Sequence, residues 1–148
     1  MTSEGLTVKS SGPATATGSK AQFWAGWVLS ALPVLMLAMS ATMKLTHAPM
    51  LVEQLVGKFG FQEGVMTGIG IVELACALIF AIPRTAVLGA ILITGYLGGA
   101  VVTHLRVGDN FAIPIVLGIL PWAGLYLRDG RLRDLLPLRN VAPVGTKR

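Results

Sequence analysis

One cysteine, Cys76, in 148 residues excludes an intrachain disulfide and any paired-thiol redox site. A lone thiol in an apolar stretch packs as a small apolar side chain. Charge is scarce too: Asp, Glu, Lys and Arg make up 13% of the chain, about half the share of an ordinary globular domain. So little charge cannot cover a water-facing surface. The two histidines, His47 and His104, have a spacing that specifies neither a haem nor a metal centre, and no metal site is assigned. No phosphate loop, serine elbow or nucleotide fingerprint occurs.

What the chain has is hydrocarbon. Hydrophobic residues make up 53% of it and its mean hydropathy is +0.70. Four apolar segments, residues 23–43, 65–82, 86–105 and 111–127, approach the ~20 residues a helix needs to cross a bilayer. The last is short and carries Pro114 and Pro121. All are too long for buried strands and lack the alternation of a membrane barrel. The fold class is therefore all-α: an integral membrane, antiparallel four-helix bundle, its helices joined by short turns at residues 83–85 and 106–110. Gly64-x-x-x-Gly68 and Gly95-x-x-x-Gly99 put small residues at the spacing that lets helices in lipid approach closely, which predicts intrachain packing or contact between copies in a homo-oligomer.

Nine of the twelve Lys and Arg residues fall on one side if both termini are cytoplasmic, the bias expected of a cytoplasmic membrane protein. The first apolar run is about twice the length of a signal-peptide core, and no clean cleavage site follows it, so it reads as a retained span. Residues 1–22, rich in Ser, Thr and Gly, read as a disordered cytoplasmic tail. Residues 128–148 form a basic cytoplasmic tail whose arginines and leucines suit anionic lipid headgroups. Topology accounts for the net charge of +5, so nucleic acid is not an expected partner.

Between the first two spans, Leu51, Val52, Leu55, Val56 and Phe59 share one helical face, with Glu53, Gln54, Gly57 and Lys58 on the other. An amphipathic connector in the interface accounts for this, as does a lid over a pocket. Within the second span stands Glu73. An intramembrane acid is expensive and marks a candidate functional site. At ~1.5 Å per residue it lies near the midplane, level with Tyr96 of the antiparallel third span. The tyrosine hydroxyl is its natural partner, and low dielectric favours the protonated acid. Pro33 and Pro121 offer an alternative by freeing the carbonyls of Leu29 and Leu117. His104 follows Tyr96 on the same helical face, and Lys44 and Arg106 end spans on the outer side. Together these five residues suggest a polar funnel from the outer surface to the midplane. Lys44 and Arg106 are equally accounted for by snorkelling to the interface.

Gly70-Ile-Val-Glu-Leu74, the Ile82-Pro-Arg84 turn and Gly99-Ala-Val-Val-Thr-His-Leu-Arg-Val-Gly-Asp109 resemble the DoxX-like family of small four-helix bacterial membrane proteins, over about residues 35–127. In that likeness Lys44 matches the lysine after the first span, Glu73 the second-span glutamate, and His104 the histidine before the outer turn. The resemblance implies a multi-pass protein of the bacterial cytoplasmic membrane. The family's name derives from a subunit of a thiosulfate:quinone oxidoreductase, but no cofactor motif accompanies the likeness here. Three functions stay open. They are a membrane subunit of a redox complex, with oxidoreductase partners and a quinone or proton pocket around Glu73; a small proton-coupled transporter; and a non-catalytic anchoring or assembly protein.

Overall fold

The structure, a computed structural model, describes residues 20–135. Helix α1 (Lys20–Leu45) leads into a short α2 (Pro49–Val52), which continues as a π-helical turn over Glu53–Lys58. Then follow α3 (Glu63–Ala81), α4 (Ala86–Arg106), α5 (Ala112–Arg128) and a short α6 (Gly130–Leu135). The four long helices coincide with the four apolar segments. Of these, α1, α3 and α4 are long and apolar enough to cross a membrane. The shorter α5, with 17 residues, reaches roughly 26 Å. The predicted tail of residues 1–22 lies outside the described residues except for its last three, which begin α1. The C-terminal tail is described only as far as residue 135.

Packing runs round a square: α1 lies against α3 and α5, and α4 against the same two, so α1 and α4 stand diagonally. The core joins Leu37 of α1, Cys76, Ala77 and Phe80 of α3, Ala90, Ile93 and Leu97 of α4, and Leu125 of α5. Outside the square, Ile71, Val72, Leu78, Ile91, Val102 and Ile119 are exposed. That is the inside-out apolar surface a bilayer covers. Hydroxyls that would otherwise be unpaired in lipid donate one turn back along their own helices, as Ser30 does to the Gly26 carbonyl and Thr94 to that of Ala90, each at 2.8 Å. Trp122 Nε1 of α5 donates to Thr94 Oγ1 at 2.9 Å, linking α5 to α4.

Close helix approach comes from other glycines than the two predicted pairs. A Cβ on Gly64, Gly68, Gly95 or Gly99 would meet nothing within 4 Å, so these glycines do not pack the bundle. Instead α1 and α5 cross backbone to backbone. A Cβ on Gly124 would lie 2.9 Å from the Gly26 carbonyl oxygen, and one on Gly26 would lie 2.9 Å from that of Gly124. Any side chain there drives the helices apart. In the C-terminal segment, Leu132 of α6 is buried in the bundle core, where the sequence suggested leucines dipping into lipid.

Candidate functional site

The site arises because α1 and α3 are staggered. The Lys44 Cβ, one residue from the end of α1, comes within 3.1 Å of where a Cβ on Gly70 would stand. Helix α3 begins at Glu63, so α1 stops about two turns short of it. Residues 49–58 fill the space above α1: Leu51, Leu55 and Phe59 bury themselves with Met66 of α3 in a second apolar cluster. Their burial follows the amphipathic face read from the sequence, while Glu53, Gly57 and Lys58 stay exposed. Beneath this roof lies a cavity of about 600 Å³, lined by all four long helices and by Leu51, Gln54, Leu55 and Phe59 from the roof. The volume lies within the ~300–1,000 Å³ usual for small-molecule sites.

The stagger also carries Lys44 inward. Its Nζ lies 2.7 Å from Glu73 Oε2, an ion pair whose residues are 7% and 3% exposed. Ser40, one turn earlier on α1, accepts from Lys44 Nζ at 2.6 Å and reaches the same Glu73 oxygen at 3.4 Å. Lys44 and Ser40 thus supply the carboxylate's hydrogen bonds, in place of the Leu29 and Leu117 carbonyls. Burying either charge alone would be prohibitive; an ion pair with a hydroxyl as third member is tolerated. Tyr96 faces the pair from α4, its phenol interacting with the Glu73 carboxylate.

His104 lies two turns further along α4. Its Nδ1 donates to the Ala100 carbonyl at 2.8 Å, and its ring meets Phe59 edge-on at 4.8 Å. The bond to a carbonyl fixes the proton on Nδ1 and leaves Nε2 for other partners. Lys44, Glu73, Tyr96 and His104 all line the cavity; Arg106 does not. Its guanidinium instead donates to the Phe59 carbonyl and lies 6.0 Å from the Phe61 ring. A second tie parallels this one: Lys58 Nζ sits 2.8 Å from Asp109 Oδ2. The Lys58 side chain's hydrogen bond, helped by the Asn110 N–H, holds the Asp109 carboxyl below its ordinary range. Arg106 and Asp109 therefore fasten the roof to the α4–α5 turn.

Ser40 is not among the residues expected at the site from the sequence, and the connector is expected there either as a plain amphipathic segment or as a lid over a pocket. A hydroxyl one turn before Lys44 was the available signal for Ser40. Five of the cavity's residues, Leu51, Gln54, Leu55, Phe59 and Phe61, belong to the connector. Among the described residues, no group of three or more His, Cys, Asp or Glu side chains could hold a metal ion. No curated protein and no solved structure matches the chain. The sequence profile of the DoxX-like family, however, matches residues 28–124, the span that holds α3, α4, most of α1 and α5 and every residue of this cavity, and the protein belongs to that family.

Proposed function

We propose that the protein is a membrane subunit associated with a redox complex, whose outer-half cavity binds a quinone-class molecule. The observation that carries this reading is charge balance inside an apolar cavity. Lys44 and Glu73 neutralise each other, so the cavity offers no net charge to an ionic solute. Its remaining walls are mainly Met, Leu, Ile and Phe side chains. A neutral ring with hydrogen-bond acceptors and a lipophilic tail suits such a site. The Tyr96 hydroxyl stands ready to donate to one of its carbonyl oxygens, His104 Nε2 to accept from the hydroxyl of the reduced form, and the ion pair holds the polar wall in place. When bound, a quinone supplies two-electron, two-proton redox chemistry; the protein's part is to orient it, exclude water, and hold a proton at Tyr96 Oη. In this reading the termini are cytoplasmic, the membrane is the bacterial cytoplasmic membrane, and electrons come from partner oxidoreductase subunits.

The test is photolabelling of the full chain in nanodiscs with an azido-quinone, mapped to peptides of α1, α4 and the roof. Saturable labelling, competed by unlabelled short-chain quinone, is expected. Tyr96→Phe should weaken competition about tenfold, the worth of one hydrogen bond to a bound headgroup. Leu55→Trp, which fills the roof side of the cavity, should abolish labelling. Labelling that neither saturates nor responds to Leu55→Trp would overturn the proposal. Proton-coupled solute flux in proteoliposomes, with no quinone competition, would replace it with the transport reading.

A further inference from the structure

A second pocket lies at the opposite end of the bundle, where α1 begins, α3 turns into α4 and α5 ends. It has a volume of about 150 Å³ and is lined by Phe23, Trp27, Pro83, Ala86, Leu125, Arg128 and Asp129. That is roughly the room of five water molecules, enough for a phosphate group and its ester oxygens. Its one cation is Arg128, whose guanidinium carbon lies 4.5 Å from the centre of the Trp27 ring and 5.8 Å from that of Phe80. Stacked this way, the guanidinium is held flat and partly stripped of water. Its Nε is buried and has no hydrogen-bond partner. A guanidinium whose Nε is shut away from water without an acceptor is costly, and an anion in the pocket beside it compensates that cost through its charge.

The neighbouring residues say where that anion comes from. Phe23, Trp24 and Trp27 are exposed by 49%, 68% and 37% and pack edge to face on one another. Exposed aromatics clustered at the end of an apolar helix mark the headgroup level of a bilayer. Asp129 is the pocket's one acid. Its Oδ1 accepts from the Arg131 backbone N–H at 3.0 Å, which commits that oxygen to the start of α6. The alkyl and aromatic walls suit the glycerol and upper acyl region of a lipid, and the guanidinium suits its phosphate.

We infer that the pocket around Arg128 and Trp27 is a binding site for the phosphate headgroup of an anionic phospholipid. It is distinct from the outer cavity and does not depend on what that cavity binds. It also differs from general attraction of a basic tail to the membrane, because one stacked arginine forms it.

The experiment measures thermal stabilisation and lipid retention by native mass spectrometry, with the full chain in neutral detergent. Phosphatidylglycerol, phosphatidylcholine and inorganic phosphate are titrated separately. Phosphatidylglycerol should bind saturably and raise the melting temperature, with phosphatidylcholine and inorganic phosphate far weaker. Arg128→Lys keeps the charge but removes the planar fork of donors and the flat face; apparent affinity should fall about tenfold, the worth of one charge-assisted hydrogen bond. The exposed arginines give the control, and Arg84→Gln with Arg131→Gln should retain most of the affinity. Should Arg128→Lys fail to fold, Trp27→Leu removes the stacking platform and must weaken retention in the same way. Equal loss in the control pair would mean diffuse charge attraction and overturn the inference. So would equal binding of phosphatidylcholine, or full stabilisation by inorganic phosphate alone.

Discussion

In the half of the bundle where α1 begins and α5 ends, backbones touch; in the other half, the same helices stand apart around a cavity. The closed half owes its contact to Gly26 and Gly124 at the α1–α5 crossing and to small core residues such as Ala86 and Ala90. The open half holds Lys44, Glu73, Tyr96 and His104, and is roofed by a segment that belongs to no long helix. The difference shows how a small membrane bundle combines rigidity with a binding site. Tight packing of small residues fixes helix positions at one end. The stagger of α1, which ends about two turns short of the start of α3, then leaves room at the other, and an amphipathic connector encloses it.

The largest expected effect comes from breaking the ion pair that holds the open half together. Glu73→Gln strands the Lys44 ammonium, buried 2.7 Å from its former partner. The expected loss is about 3–5 kcal/mol, read as the shift in an unfolding titration in mixed micelles. Lys44→Met should cost a similar amount. If the pair acts as a unit, the double variant Lys44→Met with Glu73→Met recovers most of the stability, since no buried charge is left alone. Additive losses in the double variant would mean that each residue acts through separate contacts, and the open half would then not be organised by the pair.

The closed half is broken by bulk. Gly124→Leu places a side chain against the Gly26 carbonyl and Ser30, and overpacking of about 1–3 kcal/mol is expected. Gly95→Leu, at a glycine with nothing within 4 Å, should stay within about 0.5 kcal/mol of the parent. Equal sensitivity at the two positions would erase the distinction between packing glycines and lipid-facing ones.

That pair of variants also marks the limit of what the residues alone disclose. The four spans, their order and the anomaly of Glu73 are legible, because hydropathy and the cost of a buried acid are local properties. Which glycine meets another backbone is not, because helix rotation is set by all four neighbours at once. The glycines of the Gly-x-x-x-Gly spacings meet no neighbouring helix, and Gly99 borders the cavity, while Gly26 and Gly124, isolated in sequence, make the crossing. Lys44 hides in the same way. Counted from the end of its span it belongs at the interface, and only the stagger of α1 against α3 brings it down to Glu73. Tyr96 needed no such knowledge, since its level follows from counting along two antiparallel helices joined by a tight turn.

The smallest effect separates the buried pair from its exposed counterpart at the rim. Lys58 and Asp109 tie the roof to the α4–α5 turn in contact with water, with Lys58 half exposed. Such a pair contributes little to global stability and is screened by salt. Its signature is local and pH-dependent. The Asp109 carboxyl is lowered from its ordinary 3.8 chiefly by the hydrogen bond from Lys58, then by the Asn110 N–H, with the nearby His104 charge acting the same way. The folded form therefore binds fewer protons than the unfolded one. The contribution is complete above pH ~4 and is lost as pH falls through the lower folded value. Hydrogen exchange of amides 53–59 should accelerate in that acid window in the parent. Asp109→Asn should show the faster exchange at neutral pH and no further change on acidification. The Lys44–Glu73 cluster, buried beneath the roof, should keep the exchange of α3 around Glu73 slow in both proteins at neutral pH. If the amides of α3 loosened together with those of the roof, roof and cavity floor would be one cooperative unit, and the roof could not open over a cavity whose floor stays formed.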